Sequence, residues 1–357
     1  MTRFSVVLPT FNRSEAIRPT IDGVLAQTER DWELIVVSDA STDDTDAVVA
    51  GYADRRIRLV RLPARAGHPS PPRNRALAEA RGDRIAYLDH DDVWQPEHLA
   101  ELASLLDAPA RARVAATGAV PVDVAGCPSG RATGVVDATW SPQLQVLGPL
   151  FEPSRVGHLR GVAEAVGGWR DDAAGLEDWS LWLRLADAGE RFATSTRPTV
   201  RLLRHTDTRR ASLPVRFELQ LGRLPTPAHA THALALLARP PLRTRVRELH
   251  VACAQRWHAD LAAAGELTLP ADAPDPARVP ELVAAAVGED TLSALVGVRP
   301  APGGGALVAR PLPCTSAEHA ERIERLTRAH FAPKLAFVAR VLRTVAALPS
   351  HAVADAA

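Results

Sequence analysis

In "RIAYLDHDDVW" an apolar run ends abruptly in Asp89, Asp91 and Asp92, with only His90 among them. Carboxylates this close repel one another unless a cation or a turn accommodates them. A hard divalent ion such as Mg2+ or Mn2+ takes oxygen ligands, commonly one or two carboxylates plus the phosphates of a nucleotide, and Asp89 and Asp91 have that capacity. Equally, Asp91 and Asp92 suit the positive end of the helix expected after Pro96, and a DxD triplet alone does not choose between the two. A second acid pair, Glu177 and Asp178, opens "EDWSLWLRLAD", where Trp179, Trp182, Leu183 and Ala186 recur at helical spacing. Asp178 then either favours a helix N-terminus or reaches a reacting hydroxyl as a general base. Arg73 follows a Pro-rich loop at a helix start, where it meets a diphosphate or stays solvated. Asp39 ends a strand before the turn-forming "STDDT".

These residues need elements to position them. From Phe4 to about Arg204, β-branched runs alternate with helical patterns: "SVVLP" then Ser14 to Gln27, "ELIVVSD" then Thr42 to Ala53, "RIRLVRL" then Arg73 to Arg81, "RIAYLD" then Pro96 to Leu106. That alternation predicts a mostly parallel sheet covered by helices on both faces. Ligands in such sheets sit beyond the carboxyl ends of the strands, where Pro9 and Thr10, Ser38 and Asp39, and Asp89 to Asp92 all fall. After about Ala211 strands are expected to stop. Helical patterns run over Leu242 to Ala264, Pro280 to Val287 and, amphipathically, Thr315 to Ala347, with Thr315 and Glu318 as a capping box. "LPADAPDPARVP" and "RPAPGGG" read as linkers or loops. The expected organisation is an α/β domain over residues 1–210 and a smaller α-helical accessory domain over 211–357, serving acceptor selection or oligomerisation.

Composition narrows the partners. The 357 residues carry 42 Lys and Arg against 42 Asp and Glu, a formal net charge of zero, with the bases dispersed, so nothing recruits nucleic acid. Three dispersed cysteines argue against a disulfide framework or zinc site and fit a reducing, cytoplasmic setting. No signal-peptide pattern precedes the first strand, and no apolar run reaches the ~18 residues of a membrane span. The basic, amphipathic C-terminal stretch suits packing against the first domain or a second subunit, or contact with an anionic membrane.

In order, "VVLPTFNR", "VVSDASTDDT", a Gly loop ending in "PPRN", "GDRIAYLDHDDVWQPEHL" and "GWRDDAAGLEDWSLWLRLADAG" resemble the family 2 glycosyltransferases of the GT-A fold over residues 3 to 205. The resemblance implies that Pro9, Thr10 and Phe11 pack around a nucleotide base, that Asp39 bonds the base, and that Arg73 lies near base and diphosphate. It implies Asp89 and Asp91 as the DxD acids, Asp91 contacting the metal, and Asp178 as catalytic base. His205 matches a histidine near the phosphates or metal. Ser38 stands where an Asp is commoner. The implied activity is metal-dependent, inverting transfer from a nucleotide-diphosphate sugar, a UDP-sugar in the first instance, to a glycan, lipid-linked glycan, natural product or protein hydroxyl. Trp169 is a candidate stacking platform for an acceptor sugar, or packs under its loop; Trp94 and Trp182 read as core. A sugar nucleotidyltransferase is the nearest rival, but neither GxGxxG nor a Lys-bearing phosphate loop is present, the sole lysine being Lys334. An inactive glycosyltransferase-like scaffold is the third reading.

Overall fold

The computed structural model describes residues 3–108, 112–172, 175–203, 216–273, 275, 278–286, 297–350 and 352. The chain divides into two units, Met1–Ser212 with Gly265–Pro276, and Leu213–Ala264 with Ala277–Ala357.

The first unit alternates as its sequence pattern requires. Strand β1 (Phe4–Thr10) leads to helix α1 (Ile17–Leu25), β2 (Trp32–Ser38) to α2 (Thr45–Ala50), β3 (Ile57–Arg61) to α3 (Ser70–Glu79), and β4 (Arg84–Tyr87) through the two-residue β5 (Val93–Trp94) to α4 (His98–Leu106). Then follow β6 (Val114–Val122), α5 (Val135–Ala138), α6 (Pro142–Leu147), β7 (Val156–Leu159), α7 (Val162–Ala165), α8 (Glu177–Asp187) and β8 (Phe192–Leu203). All eight strands join one mixed sheet in the order β3-β2-β1-β4-β7-β6-β8-β5. The β3-β2-β1-β4 half is parallel; β7 runs antiparallel to β4 and β6, and β5 to β8.

Alternation along β1 divides the core between two faces. Phe4, Val6 and Leu8 pack with Ile17, Ile21 and Val24 of α1 and Leu99 and Leu102 of α4. Val7 packs on the other side with Tyr87, Ala76 of α3, and Trp182 and Leu185 of α8. Both faces being covered explains why the strands read as continuous apolar runs.

Among the described residues of this unit, two histidines are buried. The His98 Nδ1 lies 2.8 Å from the Thr199 hydroxyl and its ring stacks on Trp94. The His158 Nδ1 donates to the Leu159 carbonyl, so its Nε2 accepts from the Tyr87 hydroxyl at 2.7 Å. Burial pushes His98 down to about 3 and His158 down to about 4, so both stay neutral in the folded protein. Their folded pKa lies below the usual 6.5, and as pH falls through 6.5 only the unfolded chain takes up these protons. Stability is therefore expected to be full above pH ~6.5 and to fall toward pH ~4, by up to ~1.4 kcal/mol per pH unit for each histidine. Urea titrations at pH 7 and pH 5 measure this, and His98→Gln should flatten the slope; equal stability at both pH values would contradict it.

Gly265–Pro276 belongs to the first unit although helices precede it in the chain. Thr268 and Trp140 exchange backbone hydrogen bonds, Ala271 N donates to the Thr194 carbonyl, and the Asp272 carboxylate accepts from the Thr196 amide and hydroxyl. Part of "LPADAPDPARVP" is thus an ordered strap on the first unit, not a linker.

The second unit departs from an all-helical expectation. Beside α9 (Pro227–Ala238), α10 (Pro240–Ala263) and α11 (Val279–Ala286), it contains a three-stranded antiparallel sheet, order β10-β11-β9, made of β9 (Arg216–Leu224), β10 (Gly297–Pro300) and β11 (Ala306–Pro313). Two features hid these strands. "RPAPGGG" is the end and turn of the β10–β11 hairpin, and Pro311 and Pro313 argue against a strand. β11 pairs with β9 along its whole length, Ala306 to Pro313, and among the described residues with β10 over Ala306 to Ala309. The last residue of the helix expected over Pro280 to Val287 lies outside the described residues. The C-terminal amphipathic stretch is two helices, α12 (Ala317–His330) and α13 (Ala332–Ala346), with Pro333 in the first turn of the second. Its N-cap is Ser316, accepting from His319 N at 3.1 Å, in place of the expected Thr315. Leu224, Val308, Ala230, Ala233, Val338 and Leu342 form this unit's core. Among the described residues no helix is long and apolar enough to cross a membrane.

Candidate functional site

Register brings the singled-out residues together. Thr10 of β1 pairs with Ser38 of β2, and Val7 with Tyr87 of β4. The carboxyl ends of three neighbouring strands therefore deliver Pro9 to Phe11, Asp39 and Asp89 to Asp91 to one edge of the sheet. There a cleft of about 460 Å³ is lined by Pro9, Thr10, Phe11, Asp39, Arg73, Asp89 and Asp91. Arg13, Arg65, His68 and His90, not singled out from the sequence, line it too.

The loops around the cleft are tied by side chains. Asp39 N donates to the Thr10 carbonyl at 2.8 Å, and the Asp39 carboxylate accepts from Ala66 N at 2.6 Å and Gly67 N at 3.0 Å. Asp39 thus holds the Pro-rich loop against the strand ends, a task beyond the base contact the resemblance implies. Asn12, at a φ of 49°, accepts from Thr42 N at 2.8 Å, joining the loops after β1 and β2. The Arg65 guanidinium lies 3.9 Å from the centre of the Phe11 ring, leaving an aromatic and cationic wall.

Arg73 and Asp89, expected as separate ligand contacts, form a pair: Arg73 Nη2 donates to Asp89 Oδ1 at 2.5 Å. Arg73 is 4% exposed, and its guanidinium lies 4.2 Å from the centre of the Trp169 ring. Trp169, 2% exposed, packs edge-on to Tyr87 and Trp182, so it floors the arginine and is no platform for an acceptor sugar. Its loop is fixed by Asn74, which donates to the Trp169 carbonyl and accepts from its amide. Gly168 at φ 64° makes this approach, since a Cβ there would lie 2.8 Å from Asn74 Oδ1. Trp94 and Trp182 are core, as expected.

Behind the acidic turn, Asp89 N donates to the Ser154 hydroxyl, which donates to Asp92 Oδ2 at 2.6 Å, while Leu203 N donates to Asp92 Oδ1. Burial, reinforced by the charges of Asp91 and Asp89, pushes the Asp92 carboxyl well above the usual range. Asp92 thus supports the turn and the end of β8 instead of capping a helix, and α4 begins at His98 with Glu97 before it.

Asp178 occupies the first turn of α8, where Oδ1 accepts from Trp179 N at 2.7 Å. It is not among the residues lining the cleft. One helical turn on, Trp182 touches Trp169, which carries Arg73, so α8 and the acidic turn share one packed support. His205 lies outside the described residues. Among the described residues, no group of three or more His, Cys, Asp or Glu side chains could hold a metal unaided.

A sequence model described as glycosyl transferase family 2 matches residues 5–159, spanning β1 to β7 and every side chain of the acidic turn. Over those residues the chain is similar to glycosyl transferase family 2. The chain is 40% identical over 90 residues to the Escherichia coli UDP-Glc:alpha-D-GlcNAc-diphosphoundecaprenol beta-1,3-glucosyltransferase WfgD, covering 25% of this chain and 35% of that one. It is 33% identical over 110 residues to the poly(ribitol-phosphate) beta-N-acetylglucosaminyltransferase TarS of Staphylococcus aureus (strain Mu50 / ATCC 700699), covering 30% of this chain and 19% of TarS. The matches span well under two thirds of the length of these relatives. The crystal structure of S. aureus TarS 1-349 in complex with UDP-GlcNAc superposes with a TM-score of 0.52 at 16% identity, covering 96% of this chain and 90% of that one. That similarity identifies the fold as GT-A: a large sheet flanked by helices.

Proposed function

We propose that this chain is a metal-dependent, inverting glycosyltransferase that moves a sugar from a UDP-sugar to an acceptor hydroxyl. The observation that carries the reading is the convergence of Pro9, Thr10, Phe11, Asp39, Arg73, Asp89 and Asp91 on one cleft at the strand ends. A relative named for UDP-glucose chemistry and a fold neighbour bound to UDP-GlcNAc support the choice of donor.

The base of the nucleotide fits between the Phe11 and Arg65 wall and the loop that Asp39 anchors. The diphosphate then extends toward Asp89 and Asp91. The donor set suits a hard cation: Asp91 and Asp89 both line the cleft, and Asp89 has one oxygen in its pair with Arg73. Asp91, with Asp89, would hold Mg2+ or Mn2+, ions commonly bound by one or two carboxylates beside a nucleotide's phosphates. When bound, the ion supplies neutralisation of charge at the departing diphosphate. Asp178 takes the proton of the attacking hydroxyl as its bond to the anomeric carbon forms, on the face opposite the departing group. One displacement with one carboxylate base inverts the anomeric centre. The second unit holds or selects the acceptor.

Thermal unfolding with UDP, GDP and their sugars, each with and without Mn2+, tests the reading. UDP at a hundred times its Kd should add ~2.7 kcal/mol of stability, more with Mn2+ than with EDTA. Asp91→Ala should remove the metal-dependent increment alone. No stabilisation by any nucleotide under either condition would refute the reading.

A further inference from the structure

The cross-strand register of the second unit puts two arginines on one face of its sheet. Arg299 of β10 lies opposite Leu307 of β11, and Leu307 lies opposite Arg223 of β9. Directly paired residues project to the same side, so the arginines flank one leucine in a row. This side is not the one that packs the unit's core: Val308 and Leu224 point into that core, while Leu307 forms a small separate cluster with Ala301 and Ala309. Arg328 of α12 is the third cation, and the three guanidiniums line a cavity of about 470 Å³ with Leu221, Pro302 and Leu307.

The charges here are not balanced. Arg299 Nε donates to Glu218 at 2.6 Å, and Arg328 donates to Glu324 at 2.8 Å. Arg223 instead donates to backbone carbonyls, Nη2 to Pro302 at 2.7 Å and to Gly304 at 2.6 Å, and no carboxylate among the described residues pairs with it. The hairpin turn is shaped to allow this. Gly303, Gly304 and Gly305 have φ of 77°, 98° and 82°, and a Cβ on Gly305 would lie 2.5 Å from the Leu224 carbonyl. The turn thereby orients the guanidinium without neutralising it. A guanidinium's planar fork matches the oxygens of a phosphate or carboxylate.

From this arrangement we propose that the second unit carries a binding site for an oxyanion, phosphate or carboxylate, borne on a sugar or polyol chain. The anion sits among Arg223, Arg299 and Arg328, and the C–H surface of its carrier rests on Leu307 and Leu221. That this ligand is part of the acceptor rests on the glycosyltransferase reading; the binding itself does not.

Calorimetric titration of the full chain at low salt with EDTA tests the site, using glucose 6-phosphate, glucuronate, inorganic phosphate and glucose as probes. At least one of the two charged sugars should bind about tenfold more tightly than inorganic phosphate or glucose, with hydrogen exchange slowed in β9 and the β10–β11 hairpin. The double substitution Arg223→Gln, Arg328→Gln should weaken that binding about tenfold or more and leave UDP binding in Mn2+ and the unfolding midpoint unchanged. Unaltered sugar binding in the double variant, or protection confined to the first unit, would overturn the site. Inorganic phosphate binding as tightly as both charged sugars would overturn the assignment to a carrier chain. Loss of UDP binding in the wild-type protein would count against the glycosyltransferase reading alone.

Discussion

Asp178→Asn is expected to lower kcat by about 10²- to 10⁴-fold while leaving UDP affinity within about twofold of the parent. The substitution keeps size and the side-chain oxygen that accepts from Trp179 N, so the first turn of α8 keeps its internal bond. It removes the ability to take a proton at neutral pH. Loss of a favourable charge at the helix N-terminus costs only ~0.3–1 kcal/mol of stability, which separates a catalytic role from a structural one. A variant with undiminished kcat would remove Asp178 as the base. A fall in the unfolding midpoint with proportionate loss of nucleotide binding would instead assign it a purely structural role.

Trp169→Ala should be the most damaging single change near the cleft that touches no ligand. The buried indole contacts Tyr87, Trp182 and the Arg73 guanidinium, and its removal should cost ~3–5 kcal/mol of stability. Because Arg73 holds Asp89, nucleotide affinity should also fall, by about tenfold, in molecules that remain folded. Trp32→Ala provides the comparison. Trp32 is equally buried, but it begins β2 at the opposite end from Ser38, ~20 Å away along the strand. It should lose comparable stability without losing nucleotide affinity. Equal affinity losses in both variants would show that Trp169 acts through global stability alone.

The strand ends and their order were legible because parallel strands covered on both faces read as apolar runs, and because polar clusters such as Asp39 and Asp89 to Asp92 fall where such runs stop. Partnerships across the sheet were not legible. Nothing in the spacing of Arg73 and Asp89 shows that they pair, because the contact depends on where α3 lands relative to β4. Trp169 offered two readings for the same reason: burial under Arg73 is decided by Asn74, far away in sequence. Asp92 is a support and not a cap because Ser154 and Leu203, from two other elements, converge on it. In the second unit, Pro311, Pro313 and a glycine turn carried the local signals of a loop. Pairing with β9 from Ala306 to Pro313 makes that stretch a strand all the same. Once the sheet is recognised, the row Arg299, Leu307, Arg223 follows from register, which a single sequence cannot supply.

The account depends most on one spatial relation, that the acid at the start of α8 reaches the cleft made by the ends of β1, β2 and β4. A crystal structure with an intact, unreactive UDP-sugar analogue and Mn2+ measures it directly. The account predicts the uracil beside Phe11 and Asp39, the diphosphate at Asp91, and the Asp178 carboxylate within hydrogen-bonding reach, ~3 Å, of a hydroxyl or water poised behind the anomeric carbon. Density for the analogue elsewhere, or Asp178 turned away with other side chains filling the space behind the sugar, would contradict it.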